Sequence, residues 1–190
     1  LVIYDAKHTD MSMFAGDDGV MRIFIEARNA FGTGTHQTTR MILRRLLGMD
    51  LQGKSVLDCG CGTGILGIVA LRLGADHVLG YDIDEWSSEN AKHNAALNGV
   101  DNLDVLLGDA SILEGVEEKF DIVIANINRN ILINDMSAFK SHLKQDGQLI
   151  LSGFYDSDVP MLENSAKDNG MTLVDVVADG EWACVMFECK

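Results

Sequence analysis

Apolar residues in this chain gather into short runs set between stretches of helical period. Val78-Leu79-Gly80-Tyr81 and Phe120-Asp121-Ile122-Val123-Ile124-Ala125 are the clearest. Near-continuous apolar runs of that length mark strands covered on both faces. They predict strands over about 55–59, 77–82, 103–107 and 120–125, and a fifth over 148–152 after the Asp146-Gly147 turn. An earlier strand is predicted over 20–27, and two late ones over about 171–177 and 183–188. Between them lie helical patterns. One covers 36–47, with Met41, Ile42, Leu46 and Leu47 on one face; others cover 64–73 and about 130–143. Asp84 is a good N-cap for a helix reaching about 97, where Asn98-Gly99 stops it. Pro160 sits near the start of a last helix that ends at Asn169-Gly170.

Alternation of strand and helix predicts an α/β fold: a Rossmann-like, doubly wound sheet of seven strands. The sheet is mostly parallel. The link between the final two strands is too short for a crossover, so they form a C-terminal antiparallel hairpin. No repeat, low-complexity segment or internal linker is present. Residues 5–19 are polar and rich in Gly and Asp. Residues 1–21 are therefore expected to be a lead-in segment, and 22–190 one domain.

Composition narrows the function classes. At 190 residues the chain can bury a proper core as one domain. Apolar content of 47% with 23% charged residues suits a soluble globular protein. The longest apolar runs fall short of a membrane span, and the first residues lack the shape of a signal peptide. A net charge of −14 argues against direct nucleic-acid binding and is compatible with steering a basic protein substrate. Cys59, Cys61, Cys184 and Cys189 show no C-x-x-C spacing, so reduced, buried thiols are expected rather than a metal site. Reduced thiols in turn suggest a cytoplasmic protein.

The candidate chemistry centres on Val56-Leu57-Asp58-Cys59-Gly60-Cys61-Gly62-Thr63-Gly64. Strand, glycine turn and helix here are followed by a second strand that ends in an acid, Asp82. That arrangement forms a nucleotide-binding crevice. Glycines allow close backbone approach to a ligand, and the acid can accept from both hydroxyls of a ribose. Gly62 to Gly67 also matches the dinucleotide pattern G-x-G-x-x-G. Asp58, however, stands at the strand end, where it would repel a pyrophosphate and favour a cation such as an amine or a sulfonium. An NAD-dependent oxidoreductase is the alternative, but no catalytic Tyr–Lys or His–Asp arrangement accompanies it.

Three further segments lie at strand ends or a helix start. Glycines and hydroxyls in Ala30-Phe31-Gly32-Thr33-Gly34-Thr35-His36, just before a helix, would cradle a carboxylate; alternatively Thr35 is a plain N-cap and His36 a surface residue. Asp109, after the third strand of the main sheet, either accepts from an adenine amino group or is an ordinary loop Asp. Asn126 ends an apolar strand at the crevice mouth. Its carbonyl can accept from a nucleophilic amine, or it can simply cap the next helix.

Taken together, these segments resemble the bacterial ribosomal protein L11 methyltransferase family. The resemblance rests on Phe31-Gly32-Thr33-Gly34-Thr35-His36, the glycine motif, Gly80-Tyr81-Asp82-Ile83-Asp84, Ala125-Asn126-Ile127 and Leu151-Ser152-Gly153, with Glu181-Trp182 near the end. It covers roughly residues 22–190. It implies S-adenosylmethionine as cofactor, and methylation of lysine and N-terminal amines on a ribosomal protein. It also implies a separate N-terminal recognition domain, which this sequence is expected to lack. Family roles would place Asp82 on the ribose, Asp109 on adenine and Ile83 against the adenine face. Asp58, Gly60 and Gly62 would line the methionine end, with Thr35 on its carboxylate and Phe31 and Thr33 beside it. Asn126 would orient the amine. Gln37 stands where the family usually has Pro, and Asn128 where it usually has Leu. Both leave room for a different protein lysine or a small amine as substrate.

Overall fold

The structure is a computed structural model that describes residues 1–14, 19–28 and 30–189. Its centre is a seven-stranded sheet. In chain order the elements that build it are β3 (Ser55–Cys59), α2 (Ile65–Arg72), β4 (His77–Asp82), α3 (Glu85–Leu97), β5 (Leu103–Leu107), β6 (Phe120–Asn126), α4 (Arg129–Ser141), β7 (Leu143–Tyr155), α5 (Val159–Asp168), β8 (Met171–Asp179) and β9 (Trp182–Cys189). Ahead of them come β1 (Val2–Asp5), β2 (Arg22–Ile25) and α1 (Gln37–Leu47).

Strands lie in the order β5-β4-β3-β6-β7-β9-β8. All pairings from β5 to β7 are parallel, while β9 runs antiparallel to both β7 and β8. Chain order reverses between β3 and β6. A crevice opens beyond the carboxyl ends of strands at such a switch point. Alternation along the strands divides the core. Val56, Ile122, Ile124 and Ile150 face one hydrophobic cluster with α1, α2 and α3. Leu57, Val123, Leu149 and Leu151 face another with α4 and α5. Every residue of β3 is buried, as a central parallel strand requires.

Two elements depart from the sequence expectation. The fifth strand of the main sheet runs Leu143–Tyr155 rather than 148–152, because Leu143 already pairs with Phe120 and the chain bulges through the Asp146-Gly147 turn before pairing resumes at Gln148 with Ile122. Asp146 takes a φ of 59° there. Residues 2–5 of the expected lead-in form β1, paired in parallel with β2. Residues 15–18 of that segment fall outside the described residues. All four cysteines are free and buried.

Strand β2 is held to the core by a ladder of asparagines on α3 and its C-cap. Asn90, Asn94 and Asn98 recur every four residues, so they share one helix face. Phe24 N–H donates to Asn98 Oδ1 at 2.8 Å and Glu26 N–H to Asn94 Oδ1 at 3.0 Å. Asn98 and Asn90 return donors to the carbonyls of Phe24 and Glu26, at 2.7 and 2.8 Å. A helix face thus substitutes for a neighbouring strand and satisfies the backbone edge. Asn94 also donates to the Thr63 carbonyl at 2.9 Å, which ties this edge to the glycine turn.

Candidate functional site

The turn after β3 is shaped by glycine. Gly60, Gly62 and Gly64 have φ of 71°, 54° and 79°, a left-handed run that side chains disfavour. The loop before α1 lies directly on it. A Cβ on Gly62 would meet the Phe31 carbonyl oxygen at 2.3 Å. Thr63 N–H donates to that same oxygen at 2.9 Å, and Thr63 Oγ1 donates to the Gly32 carbonyl at 2.6 Å. Two segments that the sequence analysis treated separately are therefore one latched unit.

Asp82, at the end of β4, orders the turn from the other side. Its Oδ2 accepts from Gly62 N–H at 2.9 Å and its Oδ1 from Asp84 N–H at 3.0 Å. Each carboxylate oxygen keeps a second lone pair for a ligand. Beyond it opens a cavity of about 700 Å³, lined by Phe31, Gly60, Gly62, Asp82, Ile83, Asp109 and Asn126 among others. Ile83 is 73% exposed on its wall. Asp109 caps the 3-10 turn that follows, accepting from Ser111 N–H at 2.9 Å and Ser111 Oγ at 2.6 Å. Those bonds hold its carboxyl below the usual carboxylate range.

Three candidates lie elsewhere. Asp58 is 1% exposed and stands behind the glycine turn. Its Oδ2 accepts from Gly67 N–H at 3.2 Å, and its Oδ1 is buried without a partner. Burial, with the charge of Asp82 adding to it, pushes this carboxyl up to about 7. Thr33 and Thr35 bond to each other at 2.8 Å and line a different cavity beside Ile3 and Glu26. The positive φ of Gly32 and Gly34 turns the chain between the two cavities. The N-cap of α1 is His36 rather than Thr35, with Nδ1 accepting from Thr38 N–H at 3.3 Å.

Asn126 stands where the main cavity meets a smaller one. Its Nδ2 donates to Thr39 Oγ1 at 3.3 Å, and its Oδ1 is buried and unpartnered. A slot of about 250 Å³ leads away, walled by Phe31, His36, Ile127 and Trp182. His36 meets Trp182 edge-on at 5.0 Å between ring centroids, and Tyr155 lies 4.7 Å from Trp182 on the far side. Tyr155 and Trp182 are cross-strand partners of β7 and β9. The register shifts between Ser152 and Phe154, at Gly153. A Cβ on Gly153 would meet the Ile127 carbonyl oxygen at 2.4 Å, and one on Gly60 would meet Ile127 Cγ2 at 2.6 Å. Two glycines thus clamp the residue that follows Asn126.

Sequence reasoning missed Ile131, Asn134 and Asp135, which line the cavity from α4. Their helical spacing after the strand end at Asn126 was the available signal.

Comparison with known proteins decides the family. The model of the ribosomal protein L11 methyltransferase family matches residues 2–190. The chain belongs to that family. A protein of that name from Porphyromonas gingivalis is 49% identical over 167 residues, which is 88% of this chain and 57% of the relative. One from Bacteroides fragilis is 44% identical over 186 residues, covering 98% of this chain and 64% of the relative. The chain thus spans less than two thirds of the length of these L11 methyltransferase relatives. Among solved structures, the ribosomal protein L11 methylase of Lactobacillus delbrueckii subsp. bulgaricus matches with a TM-score of 0.82 at 34% identity. That match covers 90% of this chain and 86% of the other. A magnesium protoporphyrin IX methyltransferase from Synechocystis PCC 6803, solved with bound S-adenosylmethionine, shares the fold at a TM-score of 0.65 and 22% identity. Its match covers 81% of this chain and 79% of that one. L11 methyltransferases are S-adenosylmethionine-dependent enzymes. Among the described residues no helix is long and apolar enough to cross a membrane, and no cluster of potential metal ligands occurs.

Proposed function

We propose that this chain is the catalytic part of a protein N-methyltransferase acting on lysine and N-terminal amines of ribosomal protein L11, in the cytoplasm. The observation that carries this reading is Asn126. A buried, unpartnered carbonyl stands at the junction of a cofactor-sized cavity and an aromatic slot.

The large cavity suits S-adenosylmethionine. Gly60 and Gly62 leave a cradle that a Cβ would fill, and Asp82 offers the carboxylate for the ribose hydroxyls. Ile83 would pack on adenine, with Asp109 near its amino group. When bound, the cofactor supplies an electrophilic methyl group on a sulfonium. The protein's own part is positioning and exclusion of water. Asn126 Oδ1 accepts one N–H of a neutral amine and turns its lone pair toward the cofactor cavity. Phe31 and Trp182 cover the approach and suit a cationic amine or methylammonium on their ring faces.

Losing the proton is the harder half. A lysine near pKa 10.4 costs about 4.6 kcal/mol to neutralise at pH 7, and an α-amine near 7.8 only about 1 kcal/mol. Asn126 cannot take that proton. Nor is His36 suited, since its Nδ1 already accepts from Thr38 N–H, so the proton of the neutral ring lies on Nε2. Solvent entering through the slot is the acceptor.

Incubation with methyl-labelled S-adenosylmethionine and purified L11 tests the reading, alongside calorimetric titration with S-adenosylhomocysteine and NAD. Label on L11 amines and binding of the homocysteine product alone are expected. Binding of NAD alone would overturn it.

A further inference from the structure

The aromatic slot continues into a further cavity. Asn128, Gly153 and Trp182 line both the slot and a third cavity, of about 520 Å³, which also takes in Arg129, Asn130 and Tyr155. Three cavities therefore run in series from Asp82 to Asp158.

Hydrogen-bonding capacity in the outermost one leans toward donors. Asn128 Oδ1 is occupied by Ile131 N–H at 3.2 Å. Asn130 Oδ1 accepts from Arg129 Nε at 3.1 Å and from its NH2 nitrogen at 3.0 Å. The NH1 nitrogen of Arg129 donates to Asp158 Oδ1 at 2.7 Å, and Asp158 Oδ2 accepts from Tyr155 N–H at 3.2 Å. Both asparagine carbonyls and both Asp158 oxygens thus already accept within the protein. The amide N–H groups of Asn128 and Asn130, and two of the five guanidinium N–H groups of Arg129, make no such bond among the described residues, so the free capacity of these side chains leans toward donors. Asp158 offsets the charge of Arg129, so the surface offers donors with little net charge. Neutral carbonyl oxygens match that pattern better than anions do.

We propose that this outer cavity is a subsite for the substrate's peptide main chain. It would take the extended segment next to the target amine, whose carbonyl oxygens accept from Asn128, Arg129 and Asn130. The proposal rests on the amine-transfer reading above. It adds that the catalytic part itself grips the backbone flanking the amine rather than the amine alone.

The test is a direct titration, so it does not depend on turnover. A fluorescein-labelled ten-residue peptide with one central lysine is titrated by anisotropy into the chain saturated with S-adenosylhomocysteine. The comparison is the Asn128→Asp, Asn130→Asp double variant. Aspartate retains N-cap character at position 128, keeps the shape of the side chain and offers acceptors only. The peptide Kd is expected to weaken roughly tenfold, with the S-adenosylhomocysteine Kd and the melting temperature close to those of the parent. A second variant, Arg129→Met, keeps the aliphatic stem and should weaken the peptide by a similar factor. An unchanged peptide Kd in both variants, or no peptide binding by the parent, would overturn the proposal. So would displacement of the peptide by millimolar inorganic phosphate at constant ionic strength, which would mark an anion site. Absence of methyl transfer to L11 with normal peptide binding would instead count against the amine-transfer reading alone.

Discussion

The two halves of the crevice are made of different material. Around Asp82 the walls are largely backbone: three left-handed glycines, amides aimed at a carboxylate, and a neighbouring loop latched through the Phe31 and Gly32 carbonyls. Around Asn126 the walls are side chains from separate segments, Phe31, His36, Ile127 and Trp182, the last of them placed by the register of β7 and β9. Backbone walls are set by local dihedrals and tolerate almost no change. Side-chain walls can be altered one at a time.

A matched pair of glycine substitutions puts most strain on this contrast. Gly62→Ala forces a methyl into the Phe31 carbonyl at a φ of 54°. It is expected to weaken S-adenosylhomocysteine by at least about 100-fold, since strain and clash together exceed roughly 3 kcal/mol. Gly153→Ala meets the Ile127 carbonyl at a φ of 96°. It should cost turnover by a comparable factor while leaving the S-adenosylhomocysteine Kd within about threefold, because the displaced turn carries Asn126. Calorimetry and single-turnover assays on both variants separate the outcomes. Equal loss of cofactor affinity in the two would mean that the halves are one unit.

Next in size is Asp82→Ala. Two ligand hydrogen bonds to a charged acceptor are worth about 1.5–3 kcal/mol each in a dry site, less where water competes, so a loss of about 30-fold in cofactor affinity is expected. Its bonds to Gly62 and Asp84 also go, so the melting temperature should be followed in parallel. Asn126→Ala sharpens the contrast from the other side. Removing one acceptor of an amine N–H should lower kcat by about tenfold, with cofactor affinity unchanged. An unaltered kcat would remove Asn126 from the amine site.

The same contrast explains what could be read from the chain. Buried parallel strands announce themselves as apolar runs, so β3, β4 and β6 fall within a residue of where the pattern puts them, and the glycine turn with Asp82 is a local sentence. Asn126 was legible because it closes such a run. The roles of Gly153, Tyr155 and Trp182 were not, because they arise from a strand register and a bulge, which one-dimensional periodicity does not encode. The asparagine ladder of α3 hid for another reason. A polar helix face reads as a solvated one, and Asn90, Asn94 and Asn98 are buried only because β2 lacks a strand on that edge. Thr35 and His36 show the limit at single positions: both can cap a helix, and only the geometry chooses His36.

Asp58 offers the smallest effect and the finest test. A carboxyl buried in the cofactor half would suit a cationic ligand, yet it touches the Gly67 amide and not the cavity. Its pKa rises from 3.8 to about 7, chiefly by burial. Below the unfolded value both states hold the proton. Between that value and about 7 only the folded state holds it, so this group's contribution to stability falls as pH rises, and the loss is complete above the folded pKa. Asp58→Asn keeps an acceptor for Gly67 and removes the titration. Relative to the parent, the variant should therefore gain stability from pH 4 to 8, so the difference between the two melting temperatures should widen steadily across that range. Cofactor affinity should change little. If instead affinity collapses while the two stability–pH curves run parallel, Asp58 acts on the ligand. The cofactor half would then depend on a buried charge as much as on its backbone.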